Sequence, residues 1–161
     1  MLIRNLDPVA DLAAVTAFQA EAADYWLLAE GVCDPAKKAA EFFTDGPPGC
    51  DPARSHRLGL LSENRLSGLA ELSFGFPTPV DAYLGLMILA PRLRGKGAGP
   101  ALLAHIEQLA RTAQAPSLYL GVLQANPRGH AFWQRMGFQP TGISRHDPES
   151  GHTIHRLIKP L

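Results

Sequence analysis

The chain has 161 residues, a length that suits one core rather than two, and its apolar share of 46% is that of a globular protein. Lys plus Arg and Asp plus Glu number 15 each, so no overall field draws the chain to nucleic acid or to a membrane surface. Any anion must be held by local geometry. No apolar run approaches the length of a membrane span, Met1–Asn5 lacks the core of a secretory signal, and Cys33 and Cys50 have no CxxC partner. A cytoplasmic location with reduced thiols is the expectation.

Leu2–Leu6 alternates and predicts a first strand. Asp7-Pro8 has the form of an N-cap followed by proline at the first helical position, opening a helix through Leu12, Val15 and Phe18; a second helical piece runs to Glu30 before Gly31. Asp34-Pro35 repeats the pattern and predicts a helix carrying Ala36, Ala39, Ala40 and Phe43, ended by Asp45-Gly46-Pro47-Pro48-Gly49. Arg57–Leu61 and Leu66–Phe74, joined by a turn at Ser62–Arg65, predict a hairpin, and Pro77 and Pro79 break the run. Tyr83–Leu89 is apolar on both alternating faces, with Tyr83, Met87 and Leu89 on one and Leu84, Leu86 and Ile88 on the other. That is the pattern of a strand in the middle of a covered sheet.

Gly99–Ala113 predicts a helix and Leu118–Leu123 a second doubly apolar strand. Strand, helix and strand at this spacing form a crossover, which makes the two strands parallel. A short helix over Pro127–Met136 and strands near Thr141–Arg145 and Thr153–Ile158 complete the chain. The fold class is α/β (mixed, α+β-like), one domain over residues 1–161.

The most informative string is Leu89-Ala90-Pro91-Arg92-Leu93-Arg94-Gly95-Lys96-Gly97-Ala98-Gly99-Pro100, between a buried strand and a helix start. There the first helical N–H groups lack partners and the helix dipole favours an anion; glycines let the backbone approach one closely. A turn of this kind suits a pyrophosphate. A Walker loop is excluded because Lys96 is followed by Gly97 rather than Ser or Thr. The dinucleotide pattern GxGxxG fails from Gly95, where Pro100 takes the last position, and from Gly97, where Leu102 does.

What remains, Arg94-x-x-Gly97-x-Gly99, resembles the pyrophosphate loop of the GNAT superfamily of N-acetyltransferases. Leu120–Asn126 followed by Phe132-Trp133-Gln134-Arg135-Met136-Gly137-Phe138 resembles the family's fifth strand, its Asn, its short helix and its closing Gly-Phe. Gly137-Phe138 has a local reading too, as a helix C′ glycine with Phe138 returning to the core. The resemblance implies a GNAT-type fold: a central mixed sheet of about six or seven strands with a splayed parallel pair, flanked by helices. It implies acetyl-CoA as cosubstrate, held by Met87, Ile88 and Leu89 along the fourth strand, by Arg94, Gly95, Lys96, Gly97, Ala98 and Gly99 around the pyrophosphate, and by Asn126. Transfer to a primary amine would follow by direct attack in a ternary complex.

Many members of the family have Tyr where this chain has Trp133, and an indole N–H cannot deliver a proton at neutral pH. Trp133 therefore packs against the pantetheine or belongs to the core, and water can protonate the departing thiolate. A non-catalytic acyl-CoA-binding or sensing module is the alternative that Trp133 leaves open. The catalytic candidates are Glu71, set in an apolar strand on the face of Leu69 and Ser73, and Asp81 and Tyr83, which open the fourth strand. The resemblance puts the acceptor site among the first helices and the last loop, with Tyr25, Trp26 and Glu30 as candidate contacts; acidic and aromatic groups there suit a cationic amine. Polyamine, aminoglycoside, amino acid and peptide N-terminus all stay open, as does a homodimer. The six histidines have no metal-ligand spacing, and no metal is expected.

Overall fold

Glu63 and Asn64 both have positive φ (53° and 59°), the type I′ geometry whose twist matches the strands it joins. This turn sets Ser62 opposite Arg65 and fixes the hairpin of β2 (His56–Ser62) and β3 (Arg65–Phe74). Around it the computed structural model, which describes residues 1–161, builds one seven-stranded sheet. The remaining strands are β1 (Leu2–Asn5), β4 (Ala82–Leu89), β5 (Ser117–Leu123), β6 (Gln139–His146) and β7 (Thr153–Pro160), in spatial order β1-β2-β3-β4-β5-β7-β6. Only β4 and β5 run parallel, as a crossover through α4 (Ala98–Thr112) requires. Helices α1 (Leu12–Glu21), α2 (Ala23–Glu30) and α3 (Pro35–Thr44) precede β2, and α5 (Pro127–Arg135) follows β5. No helix is long and apolar enough to cross a membrane.

The sheet has a core on each face. Leu58, Leu60, Leu72 and Leu84 pack against Leu102, Leu103 and Ile106 of α4. On the other face Leu66, Leu69 and Ile88 pack against Val15 and Phe18 of α1 and Ala39 and Phe42 of α3. One irregularity positions everything that follows. Glu71 pairs with Leu86 but Leu72 pairs with Leu84, so β4 carries one extra residue, Gly85. A single-residue bulge inverts the alternation beyond it. Met87 and Leu89 accordingly pack on the α4 face with Leu84, while Leu86 and Ile88 pack on the α1 and α3 face. The expected grouping of Leu84 with Leu86 and Ile88 is corrected by this slip.

Two helix expectations are also corrected. Asp7 does accept from Val9 N and Ala10 N (2.8 and 2.7 Å), yet the regular helix starts only at Leu12. Asp11 is drawn instead to Arg4 (2.8 Å) and to Asp7 N (2.7 Å); the Arg4 guanidinium pulls its carboxyl down to about 2. In α3, capped by Asp34 as expected, Ala36 and Ala40 are exposed, and Lys38 is buried beside Ala39 and Phe42. Lys38 is carried inward because Glu30 (2.5 Å) and Glu41 (2.8 Å) meet its ammonium there.

Strands β4 and β5 pair over only three positions, Ala82 with Leu118, Tyr83 with Tyr119 and Leu84 with Leu120. Beyond Leu84 they part. Gly121 of β5 is exposed in the opening, so that strand is not covered along both faces as its composition predicts.

Candidate active site

The loop from β4 to α4 turns through a 3-10 segment at Pro91–Leu93 and then through two left-handed glycines, Gly95 (φ 74°) and Gly97 (φ 84°). Side chains rarely adopt such angles, which is the local reason for glycine at both. Gly97 is the N-cap of α4 and offers no side chain to its first turn, so the helix-start amides are left for another acceptor. Pro100 removes one of them. Gly99 answers a different demand: a β-carbon there would lie 3.1 Å from the Phe132 ring. Its smallness lets α5 close on α4.

Arg94 is more engaged than a free cation. Its guanidinium donates to Asp24 of α2 (2.5 and 3.0 Å) and to the Leu89 carbonyl (3.1 Å), and the pairing holds the Asp24 carboxyl below its ordinary value. Arg94 thus clamps α2 to the loop, and Asp24 offsets its charge.

The parted strands open a cleft of about 810 Å³. Of the residues expected around acetyl-CoA, Met87, Leu89, Arg94, Gly95, Gly97, Gly99, Asn126 and Trp133 line it. Ile88, Lys96 and Ala98 do not: Ile88 faces the opposite core because of the bulge, Ala98 is buried in the core at the first position of α4, and Lys96 is exposed outside the cleft. Asn126 is the N-cap of α5 and accepts from Gly129 N at 3.0 Å. Trp133 lines the cleft and packs edge-on against Phe132 (4.8 Å) and Phe138 (5.3 Å). Two cleft cations were missed, Arg128 and Arg135. Their seven-residue spacing, two turns of one helix face, is the signal that reveals them.

A second cavity of about 580 Å³ lies on the α2 and α3 side of the sheet and shares Gly85 and Leu86 with the first. Glu71 and Tyr83 line it; Asp81 lines neither cavity. Asp81 is buried and accepts from the Thr78 hydroxyl (2.6 Å), and its carbonyl accepts from Gly75 N (2.9 Å). It ties the turn before β4 and stands apart from both cavities. Glu71 is 5% exposed and accepts from the Ser73 hydroxyl. Arg57 stands opposite it on β2, with Nη2 4.0 Å from its carboxylate. Burial raises the Glu71 pKa, against the lowering effects of Ser73 and Arg57. A β-carbon on Gly85 would overlap the Glu71 carboxylate, so the bulge and the acid share one place. Burial likewise raises the Tyr83 hydroxyl, with Arg156 and Arg145 pulling it down.

Trp26 and Glu30 line the second cavity, whereas Tyr25 lines the first. Trp26 donates to Gln19 (2.7 Å) and stacks under the Lys38 ammonium (4.3 Å), the same ammonium that binds Glu30. The expected acidic and aromatic surface is therefore already occupied by a cation of the chain itself. Arg145 and Arg156, from β6 and β7, form the facing wall.

The model of the Acetyltransferase (GNAT) family matches residues 17–138. Among solved structures, the chain is similar to an acetyltransferase from Thermus thermophilus at 22% identity, covering 100% of this chain and 98% of that one with a TM-score of 0.73. It is similar to the ribosomal-protein-alanine N-acetyltransferase of Brucella melitensis at 22% identity, with full coverage of both chains (100%) and a TM-score of 0.74. The PaiA N-acetyltransferase of Thermoplasma acidophilum, in complex with coenzyme A, matches at 18% identity, 99% and 98% coverage and a TM-score of 0.72.

Proposed function

The chain belongs to the GNAT acetyltransferase family, and on that premise we propose that it moves an acetyl group from acetyl-CoA to a primary amine by direct attack in a ternary complex. The observation that carries this reading is the meeting of the two cavities at Gly85 and Leu86, with the Glu71 carboxylate beside that junction. The first cleft fits the donor. Left-handed glycines and helix-start amides suit its pyrophosphate, Arg128 and Arg135 supply charge that no carboxylate offsets, and the parted edge of β4 at Met87–Leu89 leaves backbone groups for the pantetheine amides. When bound, acetyl-CoA supplies an activated thioester. Trp133 packs along that arm.

Glu71 accepts the proton of the attacking amine, directly or through water, as the C–N bond forms and the C–S bond breaks. The sulfur leaves as thiolate, which solvent protonates because the Trp133 N–H cannot. A raised carboxyl pKa suits a base near neutrality. All these side chains come from one chain, read as one cytoplasmic domain, so the mechanism holds for a monomer as for a homodimer.

Glu71→Gln tests the reading. Thiol release with a panel of amines should fall about 10²–10³-fold at neutral pH, while calorimetric binding of acetyl-CoA stays unchanged. The deficit should shrink at high pH, where more amine is already neutral. Parallel pH profiles of the two forms would remove Glu71 as base. Binding of acetyl-CoA with no amine turned over would instead leave an acyl-CoA-binding module.

A further inference from the structure

The β6 and β7 wall of the second cavity carries two arginines that form no salt bridge, Asp147 acting on one of them, Arg145, only at a distance. Arg145 pairs across strands with Ile154, two residues before Arg156, so both arginines stand on one face of the sheet. Both line the cavity. Neither guanidinium has a carboxylate within 4.0 Å or a hydrogen-bond acceptor; Arg156 only packs over the Phe76 ring at 5.0 Å. Asp147, near Arg145 on the exposed loop, turns its carboxylate to Ser150 instead (2.8 Å). Gly121, paired with Arg156, leaves room for Ile154 and the Tyr83 hydroxyl, which a β-carbon there would meet at 2.9 and 3.1 Å.

The rest of the cavity is not equally cationic. Glu30 and Glu41 are taken by Lys38. Glu71 faces the donor junction, with Arg57 beside it; Arg57 Nη2 is the single buried side-chain polar atom without a partner. The cavity is bipolar: a carboxylate at the junction, two free guanidiniums on the far wall, and a volume of about 580 Å³, which holds a small molecule.

We propose that the acceptor is a free α-amino acid, its carboxylate held by Arg145 and Arg156 and its amine turned to Glu71. This rests on the acetyl-transfer reading and narrows it. A polyamine or aminoglycoside would set a cation against Arg145 and Arg156 on that wall, since the cavity's carboxylates, Glu30, Glu41, Asp45 and Glu71, lie on its other elements. A peptide N-terminus has no carboxylate next to its amine. An α-amino acid matches both ends, and arginine's planar fork suits its carboxylate.

The test is thiol release with acetyl-CoA and the common L-amino acids, then with the decarboxylated amine and the amide of the best substrate. Losing the carboxylate should raise KM about thirty-fold or more. Arg156→Met should raise the KM for the amino acid about tenfold or more, and the penalty for removing the carboxylate should shrink in that variant, Arg145 retaining the rest. Arg156→Lys should recover part of the affinity. Arg145→Met, at an exposed position, gives the same reading if the loss of the Phe76 contact disturbs the first variant. Calorimetric titration of the best amino acid into the CoA-loaded protein supplies a readout free of turnover. Carboxylate-free amines used as well as amino acids, with KM indifferent to Arg145 and Arg156, would overturn the proposal and leave acetyl transfer standing. Acetyl-CoA binding without turnover of any amine would overturn both.

Discussion

Gly85→Ala separates the base from the fold. An ideal β-carbon at Gly85 overlaps the tip of Glu71, and the next nearest atom, the Glu71 carbonyl oxygen, is 3.9 Å away. The obstacle is thus the end of one flexible side chain, not the backbone. The carboxylate must rotate, giving up the Ser73 hydroxyl and its place at the junction. Overpacking in a rigid core costs about 1–3 kcal/mol, and a side chain that can swing keeps the cost near the lower end, about 1 kcal/mol. Displacing a general base costs far more in rate, so the expected loss of turnover is about a hundred-fold. The assay is thiol release against pH, with thermal unfolding and acetyl-CoA calorimetry on the same protein. Since the β-carbon points at Glu71, CoA affinity should change by less than about two-fold, a bound set by a contact outside the donor path. The double variant with Glu71→Gln should be no slower than the slower single one, because both remove the same group. Additive losses, or weakened CoA binding, would refute the reasoning by showing that the added methyl acts on the donor cleft.

Gly97→Val forces a β-branched residue to a φ of 84° and should weaken acetyl-CoA at least about tenfold, whereas Gly99→Val should chiefly lower the melting temperature by meeting Phe132; calorimetry and thermal unfolding separate the two. Trp133→Phe should keep the rate within about three-fold and cost about 1 kcal/mol of stability through its lost aromatic contacts; a loss of several orders with CoA affinity intact would make the indole N–H chemically essential. Asp24→Asn distinguishes two roles for Arg94: a clamp predicts weaker CoA binding when the Asp24 contact is lost, a direct phosphate ligand predicts tighter binding. For Glu71 the folded pKa is raised, so its contribution to stability is fullest below the unfolded carboxyl value and is lost as pH rises through the folded one. Chemical denaturation should therefore show the wild type losing stability relative to Glu71→Gln between acid and neutral pH.

Local signals were legible in the sequence wherever the cause was local. Asp34-Pro35, the Glu63-Asn64 turn and the glycine loop each owe their geometry to their own few residues. The crossover from β4 to β5 follows from chain order alone. The phase of β4 was not legible, because a bulge shows only in the pairing with β3; Gly85 inside an apolar run is its one trace. Asp81 and Glu71 look alike as carboxylates near strands, and burial partners decide between them: Thr78 holds one in a turn, while Gly85 opens the sheet beside the other. Arg145 and Arg156 share a cavity with Glu71 only because β7 and β6 return beside β5, a placement no spacing along the chain announces.

The zero net charge acquires its meaning from where neutralisation stops. Nine of the 15 lysines and arginines have a carboxylate within 4.0 Å. The six without are Arg54, Lys96, Arg128, Arg135, Arg145 and Arg156. Arg128 and Arg135 line the donor cleft, Arg145 and Arg156 line the second cavity, and Lys96 belongs to the glycine loop. Cations placed at random on a balanced surface would not gather at two cavities that share one junction. A protein with no global field can still hold anions at chosen points if it pairs its other charges off. On the proposed reading the two pairs do different work: those on α5 would face a donor whose charge lies in phosphates, those on β6 and β7 an acceptor carrying a carboxylate. Arg128, Arg135 and Arg145 are exposed, so raising the salt concentration should weaken both interactions, and titration of each ligand at two ionic strengths checks it.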